Sequence, residues 1–332
     1  MNDQAVLPPP GGAISPPTAR PLGERINLRK YFPIIVFVLL CAIFTALSPR
    51  FLTFDNAMIV MQQAVVILVT ALGMTFVIIG GSIDLSVGSI VALSALAAAS
   101  TSDILSIFAI VPAVIVGIAC GLLNGIVFAK GKVPSFSVTM GAMTAYRGIV
   151  LYWTRGAPVE ITQDTFLNVF AGRTLGVPHA AIVALVILVI IYLVFENTVF
   201  GREVRAIGGG ERVSILTGIR VDRVKIVMFT VLGLLCGLAG LLQAARVRAG
   251  TAQLGQGLEL DVIAAVVVGG TPLTGGVGTI QGTLLGTLII TVLSNGMNMM
   301  GVDPYLQSIV KGLVLVGAVF ATIDRTKIGI IK

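Results

Sequence analysis

Residues 80–89 read GGSIDLSVGS, and they interrupt an otherwise apolar stretch: 57–79 before them and 90–99 after them carry no charged side chain. A carboxylate in such a place costs about 2.5–3.5 kcal/mol if carried to the centre of a bilayer. Gly80, Gly81, Ser82, Ser86 and Gly88 around Asp84 are turn and cap residues, so the stretch predicts a break between two apolar helices. Asp84 then has two roles open to it. Its carboxylate can accept backbone N–H groups at a helix start, where the positive dipole end favours it, or it can touch an ion or solute.

The rest of the chain sets the frame for that break. Of 332 residues, 56% are hydrophobic and 11% charged, too little charge to cover a soluble protein of this length. Long continuous apolar runs predict an all-α integral membrane protein, and they exclude an outer-membrane barrel, whose strands alternate residue by residue. Ten candidate spans follow: 31–48, 57–79, 84–100, 104–128, 134–153, 178–196, 224–245, 260–270, 279–300 and 305–323. At 1.5 Å per residue the third and eighth are too short to cross about 30 Å as straight helices. Residues 1–30, rich in Pro and Gly, predict a disordered cytoplasmic tail. A polytopic membrane domain covers 31–323, and 324–332 form a short cytoplasmic second tail.

Alternating the loops from an inside N-terminus puts fifteen Lys and Arg inside and five outside. That is the bias of the positive-inside rule, and it places both termini in the cytoplasm. Cys41, Cys120 and Cys236 each lie in a different apolar run, where Cys behaves as a small hydrophobe. Neither a disulfide framework nor a metal site is expected. The positive charge is confined to a few loops, so it reads as topology and not as a nucleic-acid surface.

An internal echo supports the importance of the break. GGSIDLSVGSIVA (80–92) and GGTPLTGGVGTIQGT (269–283) both follow an apolar run, open with Gly-Gly and a hydroxyl residue, and return through V-G-[ST]-I. One copy lies in each half of the chain. Interrupted hydrophobic segments in corresponding positions of two halves point to a translocation path, because irregular backbone survives at membrane depth only against protein or a water-filled cavity. Path candidates are Gly80, Gly81, Asp84, Ser86, Gly88, Gly269, Gly270 and Thr271, with Gln62, Asn124 and Asn295 from neighbouring runs. Neutral amides suit an uncharged polyhydroxylated solute, and equally serve as glue between helices. Arg147 and Lys311 read as side chains snorkelling towards an interface.

The segment 197–224 is too polar to insert and too short for a domain. With Gly208–Gly210 as a bend, it predicts a short helix on the cytoplasmic face, either a docking site for another protein or a solvated connector. The chain has no G-x-x-x-x-G-K-[ST], hence no P-loop of its own. His179 is its only histidine, and no catalytic motif accompanies it. No catalytic residue and no cofactor is expected in this chain.

Several stretches are similar to a known family, the permease subunits of bacterial ABC importers for ribose and related simple sugars. They are SPRFLTFDNAMIVMQQ (48–63), GMTFVIIGGSIDLSVGS (73–89), NGIVFAKGKVPSFSVTMGAMTAYRG (124–148), ELDVIAAVVVGGTPLTGGVGTIQGTLLG (259–286) and SNGMNMMGVDPYLQSIVKG (294–312). The resemblance implies a bacterial inner-membrane protein that works with cytoplasmic ATP-binding subunits, a periplasmic sugar-binding protein and a second permease copy. It also implies a coupling segment, here GREVRAIGGGERVSILTGI (201–219), with Gly201, Arg202, Arg205, Gly208, Glu211, Arg212 and Gly218 as coupling candidates. The segment departs from the family pattern at Gly210, Val213 and Ser214. An ion-coupled carrier acting alone is the alternative.

Overall fold

The computed structural model describes residues 28–322. The tail expected over 1–30 and the one over 324–332 therefore lie outside the described residues, except that 28–30 already belong to the first helix. Thirteen α-helices are described: α1 (Leu28–Leu47), α2 (Phe54–Ile79), α3 (Val87–Leu105), α4 (Ile110–Gly131), α5 (Ser135–Thr154), α6 (Asp164–Phe170), α7 (His179–Asn197), α8 (Val199–Gly209), α9 (Glu211–Leu216), α10 (Val221–Val247), α11 (Leu258–Val268), α12 (Ile280–Met299) and α13 (Pro304–Thr322). Four two-residue strands, β1 (Val159–Glu160), β2 (Arg173–Thr174), β3 (Val177–Pro178) and β4 (Ala249–Gly250), pair antiparallel as β1 with β4 and β2 with β3.

Each of the ten expected apolar segments contains a helix, and the protein is an all-α membrane protein. Among the described residues five segments are long and apolar enough to cross a membrane by length and composition; one of them, Val87–Gly131, holds both α3 and α4. The expected shortness falls on one segment only. α3 has 19 residues, about 28 Å, whereas α11 has 11, about 16 Å, or half a bilayer core.

Helices α2 and α10 form the centre. The apolar window of α2 is 83% buried and that of α7 only 28%, so α7 keeps an apolar face outward, as a lipid-facing helix does. What lets the centre close is glycine. Gly117 and Gly121 of α4 face Gly233 and Gly237 of α10, Gly125 lies against the Ile226 backbone, and a Cβ at Gly121 would meet the Phe229 carbonyl and stand 2.9 Å from the Gly233 Cα. This is small-residue packing of the kind membrane helices use when hydrophobic burial cannot drive them together. Phe76 of α2 then stacks on Phe200 of α8 at 5.4 Å and meets Phe195 of α7 edge-on at 5.2 Å.

The two ends of the bundle are distinct. At one, the C-terminus of α2, the loop before α12 and the α8–α9 segment meet. At the other lie β1 with β4, α6 and His179, whose ring nitrogens bond Thr174 Oγ1 at 2.7 Å and the carbonyls of Asn168 and Val169. His179 thus ties a small surface hairpin to the start of α7. Between β4 and α11 the chain turns back into the bundle, and Gly255 reaches the first turn of α3: a Cβ on Gly88 would collide with the Gly255 carbonyl.

Candidate functional site

The two breaks begin alike. Helix α2 ends with Gly81 N–H donating to Ile78 O and Ser82 N–H to Val77 O, each at 2.9 Å. Helix α11 ends with Gly270 N–H donating to Val267 O at 2.9 Å and Thr271 N–H to Val266 O at 3.2 Å. Both are Schellman motifs, and both place the second glycine of the pair in the left-handed region, Gly81 at φ 76° and Gly270 at φ 97°. Only glycine enters that region without a Cβ penalty, which is why Gly-Gly opens each copy.

They end differently. In the first copy V-G-S-I (87–90) is already the first turn of α3, with Ser86 at the N-cap position. In the second, V-G-T (277–279) lies ahead of the helix and only Ile280 is in it: Thr279 is the N-cap of α12, and its hydroxyl accepts from Gly282 N–H at 3.0 Å. The matched letters therefore hold different positions in the two helices. Asp84 supplies part of the reason, since its Oδ1 accepts from Ser86 N–H at 2.7 Å and from the Ser86 hydroxyl at 2.6 Å, starting the helix early. The second copy has no carboxylate there, and Gly275 and Gly276, at φ 79° and 81°, prolong the turn.

Asp84 is not itself the N-cap but the residue that orients it. It is fully buried, and its Oδ2 has no hydrogen-bond partner. From Ser86 the network continues: Asn124 Nδ2 donates to Ser86 Oγ at 2.8 Å, and the Tyr146 hydroxyl donates to Asn124 Oδ1 at 2.9 Å. Ser135 Oγ accepts from Ile83 N–H at 3.3 Å. One buried carboxylate thus ties the break to α4 and α5. Asn124 is seven residues from the end of α4, so the network sits about 10 Å inside the bundle.

The breaks also touch. Gly276 N–H donates to Ile79 O at 2.8 Å, and a Cβ on Gly275 would stand 3.0 Å from the Gly81 Cα. Helix α8 lies on this junction, because a Cβ on Gly208 would collide with the Ile79 carbonyl and the Gly276 amide. The structure therefore brings Gly80, Gly81, Asp84, Ser86, Gly88 and Asn124 into one region, with Gly269, Gly270 and Thr271 in the segment that joins it. Gln62 and Asn295 lie apart. Gln62 accepts from Arg173 at 3.1 Å beside the surface hairpin, and Asn295 donates to Asn56 at 3.1 Å, joining α12 to the start of α2.

The coupling candidates divide by exposure. Arg202 and Arg212 are exposed. Arg205 pairs with Glu196 at 2.7 Å and lies over the Phe195 ring, and Glu211 pairs with Lys225 at 2.8 Å. Gly201 has the Phe195 carbonyl where its Cβ would be, and Gly218, at φ 86°, ends α9. Where one helix was expected across this face, there are two, meeting at Gly210.

Two polar side chains are better anchored than snorkelling would leave them. Lys311 of α13 pairs with Asp261 of α11 at 2.9 Å. Arg147 of α5 donates to the carbonyls of Ala252 and Leu254, the latter at 2.7 Å. Tyr146 and the α4 glycines were not singled out from the sequence, although G-I-A-C-G-L-L-N-G (117–125) carries the G-x-x-x-G signal openly.

Paired interrupted helices, a glycine-packed core and a polar network at membrane depth define a multi-pass membrane transport component. The chain belongs to the family described as "Branched-chain amino acid transport system / permease component", whose model matches residues 56–319. Among curated proteins it is 40% identical to the ribose import permease protein RbsC of Escherichia coli (strain K12) over 319 residues, 92% of this chain and 99% of that one. It is 40% identical to RbsC of Bacillus subtilis (strain 168), covering 90% and 94%, and 35% identical to the L-arabinose ABC transporter permease protein AraH of Azospirillum brasilense, covering 96% and 94%. No solved structure matches the chain.

Proposed function

We propose that this chain is the permease subunit of an ATP-driven importer that passes a monosaccharide, ribose or another pentose or a related sugar or polyol, across the bacterial inner membrane by alternating access. The near-complete overlap with ribose and arabinose permeases supports the substrate class, which the family description alone does not. The observation that carries the mechanism is the seat of α8: a cytoplasmic helix resting through Gly208 on the junction of both helix breaks. Movement of that helix is movement of the breaks.

In this reading ten spans leave both termini in the cytoplasm, and a second copy completes the membrane core. ATP-binding subunits dock on α9, where Arg212 stands among exposed Val213, Ile215 and Leu216. A periplasmic sugar-binding protein delivers the solute. The chain needs no cofactor of its own, since hydrolysis takes place in the partner.

Uptake of labelled pentose into liposomes tests this. ATP-dependent uptake only when the ATP-binding subunits are present is the expected result. Uptake by this chain alone under a proton or sodium gradient overturns it in favour of a secondary carrier.

A further inference from the structure

One cleft in the protein combines charge, amide, hydroxyl and apolar surface at membrane depth. It has a volume of about 410 Å³ and is lined by Met143, Thr144, Arg147, Gly148 and Leu151 of α5 and by Gln256, Gly257 and Glu259 where the chain re-enters before α11. Arg147 is twelve residues from the start of α5 and seven from its end, hence about 18 Å and 10 Å from its two ends. Charged groups at such a depth do not face lipid; they face protein or a water-filled cavity. The cleft is partly open, and with a guanidinium and a carboxylate in its lining the open part suits water or a passing polar solute and not lipid.

The donor set is held in place before any solute arrives. Both bonds from Arg147, to Ala252 and Leu254, leave from Nη1, and a guanidinium carries five N–H donors in a fixed fork. The rest of the fork remains for the cleft. Glu259 lies against the first turn of α3, its Oε2 2.8 Å from where a Gly88 Cβ would be. Neither Arg147 nor Glu259 forms an ion pair among the described residues; the ion pairs there are Arg205–Glu196, Lys225–Glu211 and Lys311–Asp261.

We infer that this cleft is a contact site for a neutral polyhydroxylated solute of monosaccharide size on its way through the membrane. The inference rests on the permease reading above and adds the residues that would meet the sugar. Arg147 donates to ring or hydroxyl oxygens, Glu259 accepts from hydroxyls, the Gln256 amide does both, and the Thr144 hydroxyl, which donates to Met140 O at 3.3 Å, accepts. Met143, Gly148 and Leu151 give the apolar wall against which the C–H face of a sugar packs. One positive and one negative group cancel, so the cleft favours a neutral solute over either ion. Its volume lies in the range of ligand sites, about 300–1,000 Å³.

A thiol scan tests this in the assembled importer in liposomes. Thr144→Cys is compared with Leu123→Cys, on the exposed face of α4, using a small charged methanethiosulfonate reagent. The thiol at 144 is expected to react at least about tenfold faster than the one at 123. Its modification is expected to cut ATP-driven uptake of D-ribose, D-xylose and L-arabinose about tenfold while ATP hydrolysis continues. Equal reaction rates, or full uptake after modification, overturn the site. Failure of the permease reading shows elsewhere: the unmodified wild-type importer would take up none of the three sugars, and the proposal that a sugar uses the cleft would fall with it. The rate comparison still tells whether the cleft is wet, because it does not depend on uptake.

Discussion

A carboxylate can reside inside a membrane protein without binding cargo, if its neighbours supply donors. Asp84 receives two bonds from one residue, Ser86, through backbone and hydroxyl, and the remaining donors pass along Asn124 to Tyr146. The carboxylate shapes the start of α3, which in turn fixes the wall carrying Gly88. Replacement of Asp84 by Ala removes the acceptor while leaving the Ser86 N–H buried, so the protein should lose about 1–3 kcal/mol. Replacement by Asn keeps an oxygen in the Oδ1 position and should lose less. Thermal unfolding of the purified variants in detergent checks the order. Equal stability of wild type and Asp84→Ala would remove the structural role and return Asp84 to the solute.

At the scale of helices, the central contact is one of backbones. Gly121 of α4 has the Phe229 carbonyl where a methyl group would go, so Gly121→Ala must push α4 from α10. Overpacking of this sort costs about 1–3 kcal/mol. Gly141 of α5 has nothing within 4 Å of an added Cβ, and Gly141→Ala should be neutral or slightly stabilising, as an alanine in a helix is. Unfolding temperatures of the two variants, measured side by side, should fall for the first only.

The helices themselves were legible in the sequence because a long apolar run without charge leaves few other structures. The Gly-Gly openings were legible too, since only glycine takes φ near 76° or 97° without penalty. What the letters did not give was register: V-G-[ST]-I recurs, yet a carboxylate in one copy and two left-handed glycines in the other move the helix start. Nor could 155–178 be read, because two-residue strands such as β1 show no period, and their partner β4 lies some ninety residues on. The pairing of Lys311 with Asp261 was hidden for the same reason. It joins two apolar helices whose adjacency depends on the whole bundle.

For the whole molecule the question is how work done on the α8–α9 end of the bundle reaches the two helix breaks. Helix α8 presses on Ile79 and Gly276; Ile79 and Gly276 are themselves hydrogen-bonded, and five residues beyond Ile79 comes Asp84. Phe200 of α8, stacked on Phe76, gives the same helix a second hold on α2. Coupling through such a contact requires an element with two arrangements that both sites bias, and a helix seated on two hinge loops is suited to be one. The sharpest probe is a pair of neighbours. Gly208→Ala places a methyl group into the Ile79 carbonyl and should lift α8 from the junction, whereas Gly209→Ala meets nothing within 4 Å and should be silent. In liposomes containing the full importer, Gly208→Ala should lower sugar uptake at least about tenfold while the ATP-binding subunits stay bound and continue to hydrolyse ATP. Equal uptake by the two variants would show that force does not pass through this contact.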